Sequence, residues 1–265
     1  MSPVILVKLK TPTRQTWQSS RSTTDGLALR FAGARKANTS RAVSKTRLPF
    51  APSSIVAISV LSWESGGQAK FEAALWWEAR SHFDTEVEAY KRLKDLQGIF
   101  IPCMYASVRF SPAGPRTIKD IDDYCSVNGI LLQSIPGWSL WDLPESLSSP
   151  NSQQQWTSIV LRAVQGAHEI NKLEVILNDS CPRNFVVDAD SHQPFIIDLA
   201  QCYFKGQLFK DWENFSFGDG QEDWTPEVKW RESMRSLDNP GSIGVPMQSE
   251  LERVKGFLIG VKYPE

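Results

Sequence analysis

Asp179-Ser-Cys-Pro-Arg-Asn184 and Ile197-Asp198 are the most informative segments of the sequence, and Asp198 follows Asp179 by 19 residues. An apolar strand-like segment precedes the first stretch, and two more such segments follow it. This order places two carboxylates and one carboxamide at the ends of neighbouring short strands. An Asp and an Asn five residues apart arise readily by chance and also favour turns. The prediction therefore rests on their order among the strands.

Phosphoryl transfer needs this set of side chains. One carboxylate, here Asp179, orients the attacking hydroxyl and accepts its proton. An Asn oxygen and a second carboxylate, here Asn184 and Asp198, hold Mg²⁺ on the phosphates. Mg²⁺ prefers hard oxygen ligands, which Asp and Asn supply. The pattern therefore predicts a catalytic base and a pair of metal ligands.

The sequence resembles the protein-kinase superfamily at these residues. It looks most like the fungal protein-kinase-like group, which merges into aminoglycoside- and choline-kinase-like proteins. Asp179 to Asn184 matches the D-x-x-x-x-N half of the catalytic loop, and Asp198-Leu199-Ala200 stands where D-F-G stands. Two further matches are Glu86…Tyr90…Gly98…Pro102 and Gly129…Leu132…Pro136-Gly137. The resemblance covers roughly residues 84–203, and its four motifs occur in the family's order.

The resemblance implies an α+β fold with two lobes of the protein-kinase-like type. We expect residues 1–138 to form an incomplete N-terminal lobe and residues 139–265 a mainly helical C-terminal lobe with the catalytic loop. The implied activity is ATP-dependent transfer of the γ-phosphoryl group to a hydroxyl of a protein Ser/Thr or of a small molecule. The implied cofactors are ATP and Mg²⁺, and the implied partners are a nucleotide and a hydroxyl-bearing acceptor.

The resemblance also implies a lysine–glutamate pair that orients the phosphates. Glu86 shares an apolar helical face with Tyr90 and Leu93, which favours it over Glu88 as the acid that pairs with a strand lysine. Two lysines compete for that role. Lys8 lies in an apolar strand-like segment, and Lys70 has the closer spacing but polar surroundings. We prefer Lys8, since a buried strand lysine usually has an acidic partner.

The segment from Gln133 to Pro136 would join the two lobes, and backbone groups at Gln133 and Ile135 would meet the adenine. An ordinary boundary between a strand and a turn explains the same residues equally well.

Two departures from the family pattern favour an alternative function. The family's glycine-rich motif does not precede the first strand, and Leu177-Asn178 stands before Asp179 where the family has a histidine. The alternative is a weak or inactive pseudokinase that acts as a binding module.

Charge is unevenly distributed along the chain. The whole chain has a net charge of −1, but residues 11–54 contain eight Lys and Arg and one Asp, a net +7. We interpret this Ser- and Thr-rich stretch as a disordered insert, or as sequence read through by a faulty gene model. A third hypothesis, nucleic-acid tethering by this stretch, is less favoured.

The location of the protein is predicted from weaker signals. No apolar run is long enough for a membrane helix, and the four cysteines show no C-x-x-C spacing. We therefore expect no zinc site, no membrane partner and a cytoplasmic or nuclear protein with reduced thiols.

Other elements follow from periodicity. Apolar residues predict strands at 4–9, 54–61 and 129–133 and helices at 84–96 and 153–170. Beyond residue 210 the chain is poorly periodic until residues 250–258. Thr85 and Glu88 suggest a capping box, Gly98 a helix stop, and residues 139–143 a short helix.

Overall fold

The computed structural model describes residues 5–10, 29–31, 67–111, 126–214 and 225–264, and their side chains within 70–111, 126–212 and 225–264. These residues form a mixed α+β structure with small sheets, as predicted at that level. The predicted strand at 54–61 and most of the basic stretch 11–54 lie outside the described residues. No described helix is long and apolar enough to cross a membrane.

The described part contains strands and helices in alternating groups. The strands are β1 (Ile5–Lys10), β2 (Leu29–Phe31), β3 (Met104–Phe110), β4 (Val127–Gln133), β5 (Gly137–Ser139), β6 (Val175–Leu177), β7 (Phe185–Asp188), β8 (Pro194–Ile196) and β9 (Cys202–Phe204). The helices are α1 (Gly67–Arg92), α2 (Gln153–Lys172), α3 (Lys205–Asn214), α4 (Pro226–Leu237) and α5 (Gly241–Lys255).

The strands form three sheets. The first has the order β2-β1-β4-β3, in which β1 and β2 run parallel and Lys8 lies opposite Arg30. The second has the order β5-β7-β8 and the third pairs β6 with β9. The pairs in these two sheets are antiparallel. Strand β2 lies inside the stretch interpreted as a loop, so that interpretation is wrong for Leu29–Phe31.

The chain divides into two compact units. The larger unit contains the described residues within 84–105 and 132–264, and the smaller unit those within 5–83 and 106–131. The predicted lobe boundary at residue 138 follows the chain order. The structure instead groups residues 84–105 with the larger unit.

Helix α2 forms the centre of the larger unit and packs against β6, β8 and α5. It begins as the sequence predicts, because the side chain of Ser152 accepts a hydrogen bond from the backbone N–H of Gln155 at 3.2 Å. Its predicted apolar face is buried. Trp156 is fully buried, and its indole N–H donates a hydrogen bond to the carbonyl of Pro150. A second cluster joins Ile176 to Leu208, Trp212 and Trp230.

Helix α1 begins seventeen residues earlier than the segment that the apolar stripe made certain. The predicted capping box is therefore wrong, since Thr85 and Glu88 lie inside the helix and Glu88 instead pairs with Arg92 at 2.8 Å. The helix also ends before Gly98, although Gly98 does adopt a positive φ of 74° in the turn that follows.

The prediction of a short helix at residues 139–143 is also wrong. Ser139 ends β5, and its hydroxyl donates to the Asp142 carboxylate at 2.7 Å and accepts from the Asp142 N–H at 3.1 Å. This side-chain turn competes with a helix for the backbone groups. A 3₁₀ turn, Leu143–Glu145, follows it. Near the C-terminus, helix α5 begins at Gly241, ahead of the periodic segment at 250–258, and ends at Lys255.

Candidate active site

The loop that carries Asp179 is held by the pairing of β6 with β9. Leu177 lies opposite Cys202, and the Asn178 N–H donates to the carbonyl of Gln201 at 2.9 Å. All three residues of β6 are buried. The pairing therefore brings the residue before Asp179 beside the segment that begins at Asp198.

Asn184 contacts Asp179 directly. Its amide nitrogen donates to the Asp179 main-chain carbonyl at 2.8 Å and to a carboxylate oxygen, Oδ2, at 3.2 Å. A carbonyl oxygen can only accept, so the nitrogen of the amide must face Asp179. The other amide atom, the oxygen Oδ1, consequently faces away from Asp179 and is available as a ligand.

Asp198 lies next to this pair. The Ile197 N–H donates to the carbonyl of Asn184 at 2.9 Å, which continues the ladder between β7 and β8 by one step. The half-buried Asp198 carboxylate accepts the Ala200 N–H at 3.2 Å, so the chain turns immediately after it. The backbone pairing thus places the Asp179–Asn184 contact and the start of the Asp198 turn at the ends of neighbouring paired strands.

The oxygen donors fit Mg²⁺ by their chemistry. Two carboxylates and one amide oxygen are hard ligands, and the amide is already oriented by its contact with Asp179. Within the described ranges, no group of three or more His, Cys, Asp and Glu side chains is placed to hold a metal. Any Mg²⁺ here would depend on Asn184 as well as on carboxylates, and on oxygens from the nucleotide.

Asn239 anchors the same loop from a distant part of the chain. Its side-chain oxygen accepts the Leu177 N–H at 2.9 Å, and its amide nitrogen donates to the Leu177 carbonyl at 2.6 Å. The Asn239 carbonyl also accepts the Ser180 hydroxyl at 3.1 Å. Asn239 itself is 1% exposed. The residues on both sides of Asp179 are therefore fixed to the turn between α4 and α5.

Glu86 and Tyr90 lie in the part of α1 that belongs to the larger unit, and both are fully buried. Burial holds the pKa of Tyr90 well above its ordinary value, and the charges of Glu86 and Asp198 raise it further. The negative charges of Glu86 and Asp198 therefore both disfavour ionisation of the Tyr90 hydroxyl. Glu88 is only partly buried, with 41% of its side chain exposed, so burial agrees with the choice of Glu86. The pairing of Glu86 with a lysine stays a prediction.

The two candidate lysines lie in different elements. Lys8 is in β1, whose backbone the structure describes. Lys70 is exposed in the first turn of α1, so it is not on a strand. The predicted role requires a lysine on a strand. Of these two lysines, Lys8 lies on a strand and Lys70 does not.

Gln133 is committed to the backbone of Cys103. The Gln133 N–H donates to the Cys103 carbonyl at 2.8 Å, and the Gln133 side chain accepts the Cys103 N–H at 3.1 Å. Half-buried Ile135 follows in a segment without regular structure. The contact of these residues with adenine stays a prediction, but the Gln133 N–H and side-chain oxygen are already engaged.

Cys181 reports on the electrostatics of the loop. Burial raises the pKa of its thiol, and the charge of Asp179 raises it further, whereas backbone hydrogen bonds and the Arg183 charge lower it. The thiol thus lies within range of an acid and a base of opposite charge.

Three structural features around the candidate site were not predicted: Asn239, the buried Tyr90 hydroxyl, and a contact between Arg183 and Trp141. Asn239 precedes a proline and a glycine, a pattern typical of a turn, and no local pattern indicates a contact 62 residues away. Tyr90 was visible as part of an apolar face only.

Comparisons of the chain with family models and with curated proteins find no match.

Proposed function

We propose that the chain is an ATP-dependent phosphotransferase of protein-kinase-like, two-lobed fold that acts on a hydroxyl acceptor. The observation that carries the proposal is the contact of the Asn184 amide with both oxygen types of Asp179, together with the backbone bond to Asn184 from Ile197, the residue before Asp198. An Asp and an Asn that only form a turn would not require a second carboxylate at the end of the next strand pair.

Each side chain has a role in this proposal. Asp179 accepts the proton of the acceptor hydroxyl, and Asn184 keeps its carboxylate in one orientation. The Asn184 oxygen and Asp198 would hold Mg²⁺, which offsets the charge of the phosphate oxygens when bound. Lys8 and Glu86 would orient the phosphates, a role that rests on the resemblance alone.

Nucleotide binding and turnover separate this proposal from its alternative. We expect Mg·ATP to raise the melting temperature of the full-length chain. Asp179→Ala should retain that shift and lose phosphoryl transfer, because its carboxylate contacts the acceptor rather than the nucleotide. Asp198→Ala should lose the shift itself. Asp190→Ala is the matched control, since Asp190 is an exposed acid in the turn between β7 and β8.

The second candidate is a pseudokinase that serves as a binding module. The absence of the family's glycine-rich motif and the Leu177-Asn178 sequence favour it. It predicts no transfer to any acceptor and no effect of Asp179→Ala, and it does not require a melting shift with nucleotide. A chain that shows no shift at millimolar Mg·ATP contradicts the phosphotransferase.

A further inference from the structure

An arginine in the Asp179 loop stacks on an aromatic ring. The guanidinium carbon of Arg183 lies 5.5 Å from the centroid of the Trp141 ring, within the range of a cation–π contact. Arg183 is exposed and belongs to the 3₁₀ turn Pro182–Asn184. It directly precedes Asn184, whose amide contacts Asp179.

Strand pairing explains why Trp141 reaches this position. In the antiparallel pair of β5 and β7, Ser139 lies opposite Val186, and the Leu140 N–H donates to the carbonyl of Phe185 at 2.9 Å. One further step places Trp141 beside the turn that carries Arg183. Gly137 allows the close approach, because a Cβ there would collide with the Val187 carbonyl. The ring is therefore held by the sheet that also holds Asn184.

Arg183 has no acidic partner among the residues that the structure describes. No ion pair or hydrogen bond joins its guanidinium to a described carboxylate, whereas Arg92 and Arg253 both pair with acids. The acid next to Trp141, Asp142, instead accepts the hydroxyl of Ser139 at 2.7 Å. The loop thus presents an uncompensated cation four residues from Asp179.

A guanidinium in this setting suits an anionic ligand. Its planar N–H groups match carboxylate and phosphate oxygens in pairs, and stacking on an indole restricts its rotation without using those donors.

We propose that Arg183, supported by Trp141, binds an anionic group carried beside the acceptor hydroxyl, so that the acceptor is a hydroxyl compound bearing a carboxylate or a phosphate. The proposal rests on the phosphotransferase function above and names its substrate class. In that role Arg183 is a specificity-determining residue, and Trp141 is a positioning residue.

Direct binding tests the proposal without turnover. A fluorescein-labelled peptide with a serine between two pairs of aspartates is titrated against the full-length chain by fluorescence anisotropy, and the lysine-flanked analogue is titrated in parallel. Glycerol 3-phosphate and glycerol, followed by thermal shift, form the small-molecule arm. The variants are Arg183→Glu, Trp141→Ala and Trp141→Phe. Arg231→Glu is the control, because Arg231 is an exposed arginine of α4 and the charge change is the same.

We expect a preference for the anionic ligand in at least one arm, and a loss on the order of tenfold in Arg183→Glu, since hydrogen bonds to charged groups are worth about that factor. Trp141→Ala should weaken binding and Trp141→Phe should restore most of it, while Arg231→Glu stays within about twofold of the parent chain. A response to the peptide alone identifies a protein acceptor, and a response to glycerol 3-phosphate alone identifies a small one.

The proposal is overturned if neither anionic ligand binds better than its partner, or if Arg183→Glu and Arg231→Glu reduce binding equally. An intact anion preference without any phosphoryl transfer contradicts the proposed function and leaves the anion site standing. The two failures are therefore distinguishable in one set of variants.

Discussion

Replacing Asn239 with alanine tests whether the Asp179 loop depends on a single distant side chain. Asn239 holds both backbone groups of Leu177, with bonds of 2.9 and 2.6 Å, and Leu177 is 4% exposed. Water therefore has little access to the N–H and carbonyl that the substitution would leave unbonded.

The magnitude follows from counting those two groups. A buried polar group that loses its partner costs about 1–3 kcal/mol, so Asn239→Ala should lower the free energy of unfolding by about 2–6 kcal/mol. Because domains are stable by only about 5–15 kcal/mol, the loss is a large part of the total. The loop should also lose its fixed position, so turnover should fall even in folded protein.

Urea unfolding monitored by tryptophan fluorescence measures the stability term. Asn171→Ala is the matched control: Asn171 is a buried asparagine of α2, and its side-chain oxygen accepts no hydrogen bond from the described residues. Removing it should cost far less. The reasoning is refuted if the two alanine variants differ by less than about 1 kcal/mol.

Asn239→Asp adds a pH test with the opposite donor pattern. An ionised carboxylate can accept the Leu177 N–H but cannot donate to the Leu177 carbonyl, and burial disfavours its charge. The pKa of the introduced carboxyl should therefore be raised in the folded chain. Its stability relative to the parent should be highest below about pH 4, where both states are protonated, and should decline as pH rises through that value.

Three other changes have outcomes that follow from single contacts. Asp179→Asn removes a charge that raises the pKa of Cys181, so iodoacetamide should alkylate Cys181 faster at pH 7.5. Peptide mass spectrometry measures the rate, with half-buried Cys103 as the internal reference. Gly137→Ala should cost about 1–3 kcal/mol in urea unfolding, because the new Cβ collides with the Val187 carbonyl and the strand must move. Burial raises the pKa of Asp188, but hydrogen bonds from the turn outweigh it and the pKa lies below its ordinary value. Asp188→Asn should therefore destabilise the chain at pH 7, and the difference should vanish as pH falls through the lowered pKa.

Local patterns predicted the elements that bury one regular face. Trp156 and Ile170 lie on the helical stripe that identifies α2, and the structure buries both fully. The short apolar runs that became β6, β7 and β8 were equally visible, because each is bounded by turn residues. These elements need only their own side-chain period to be recognised.

Helices with weaker stripes were missed for a physical reason. In α3 and α4 charged and aromatic residues alternate without a clean face, and their stability comes from the cluster formed by Trp212 and Trp230 with Ile176. That cluster joins residues far apart in sequence, so no window of the chain contains it. The start of α1 was missed likewise, since its first residues carry no cap signal.

The candidate site shows the same division. The order of Asp179, Asn184 and Asp198 among short strands singled them out, and the structure pairs the strands that carry them. The geometry that makes them a unit depends on pairings between distant segments, of β6 with β9 and of β7 with β8. The sequence therefore predicts these residue types, but it does not predict the orientation of the Asn184 amide or the hydrogen bonds of Asn239 to Leu177.

One small sheet links the proposed chemistry to the proposed specificity. Strand β7 begins directly after Asn184, and its partner β5 leads directly to Trp141 under Arg183. A change that shifts this sheet, such as Gly137→Ala, should therefore disturb both the orientation of Asp179 and anion binding. A change of Arg183 alone should disturb only the second, because among the described residues no hydrogen bond joins its guanidinium to Asn184 or Asn239. Selection could thus alter the acceptor through one exposed side chain while the catalytic geometry stays in place.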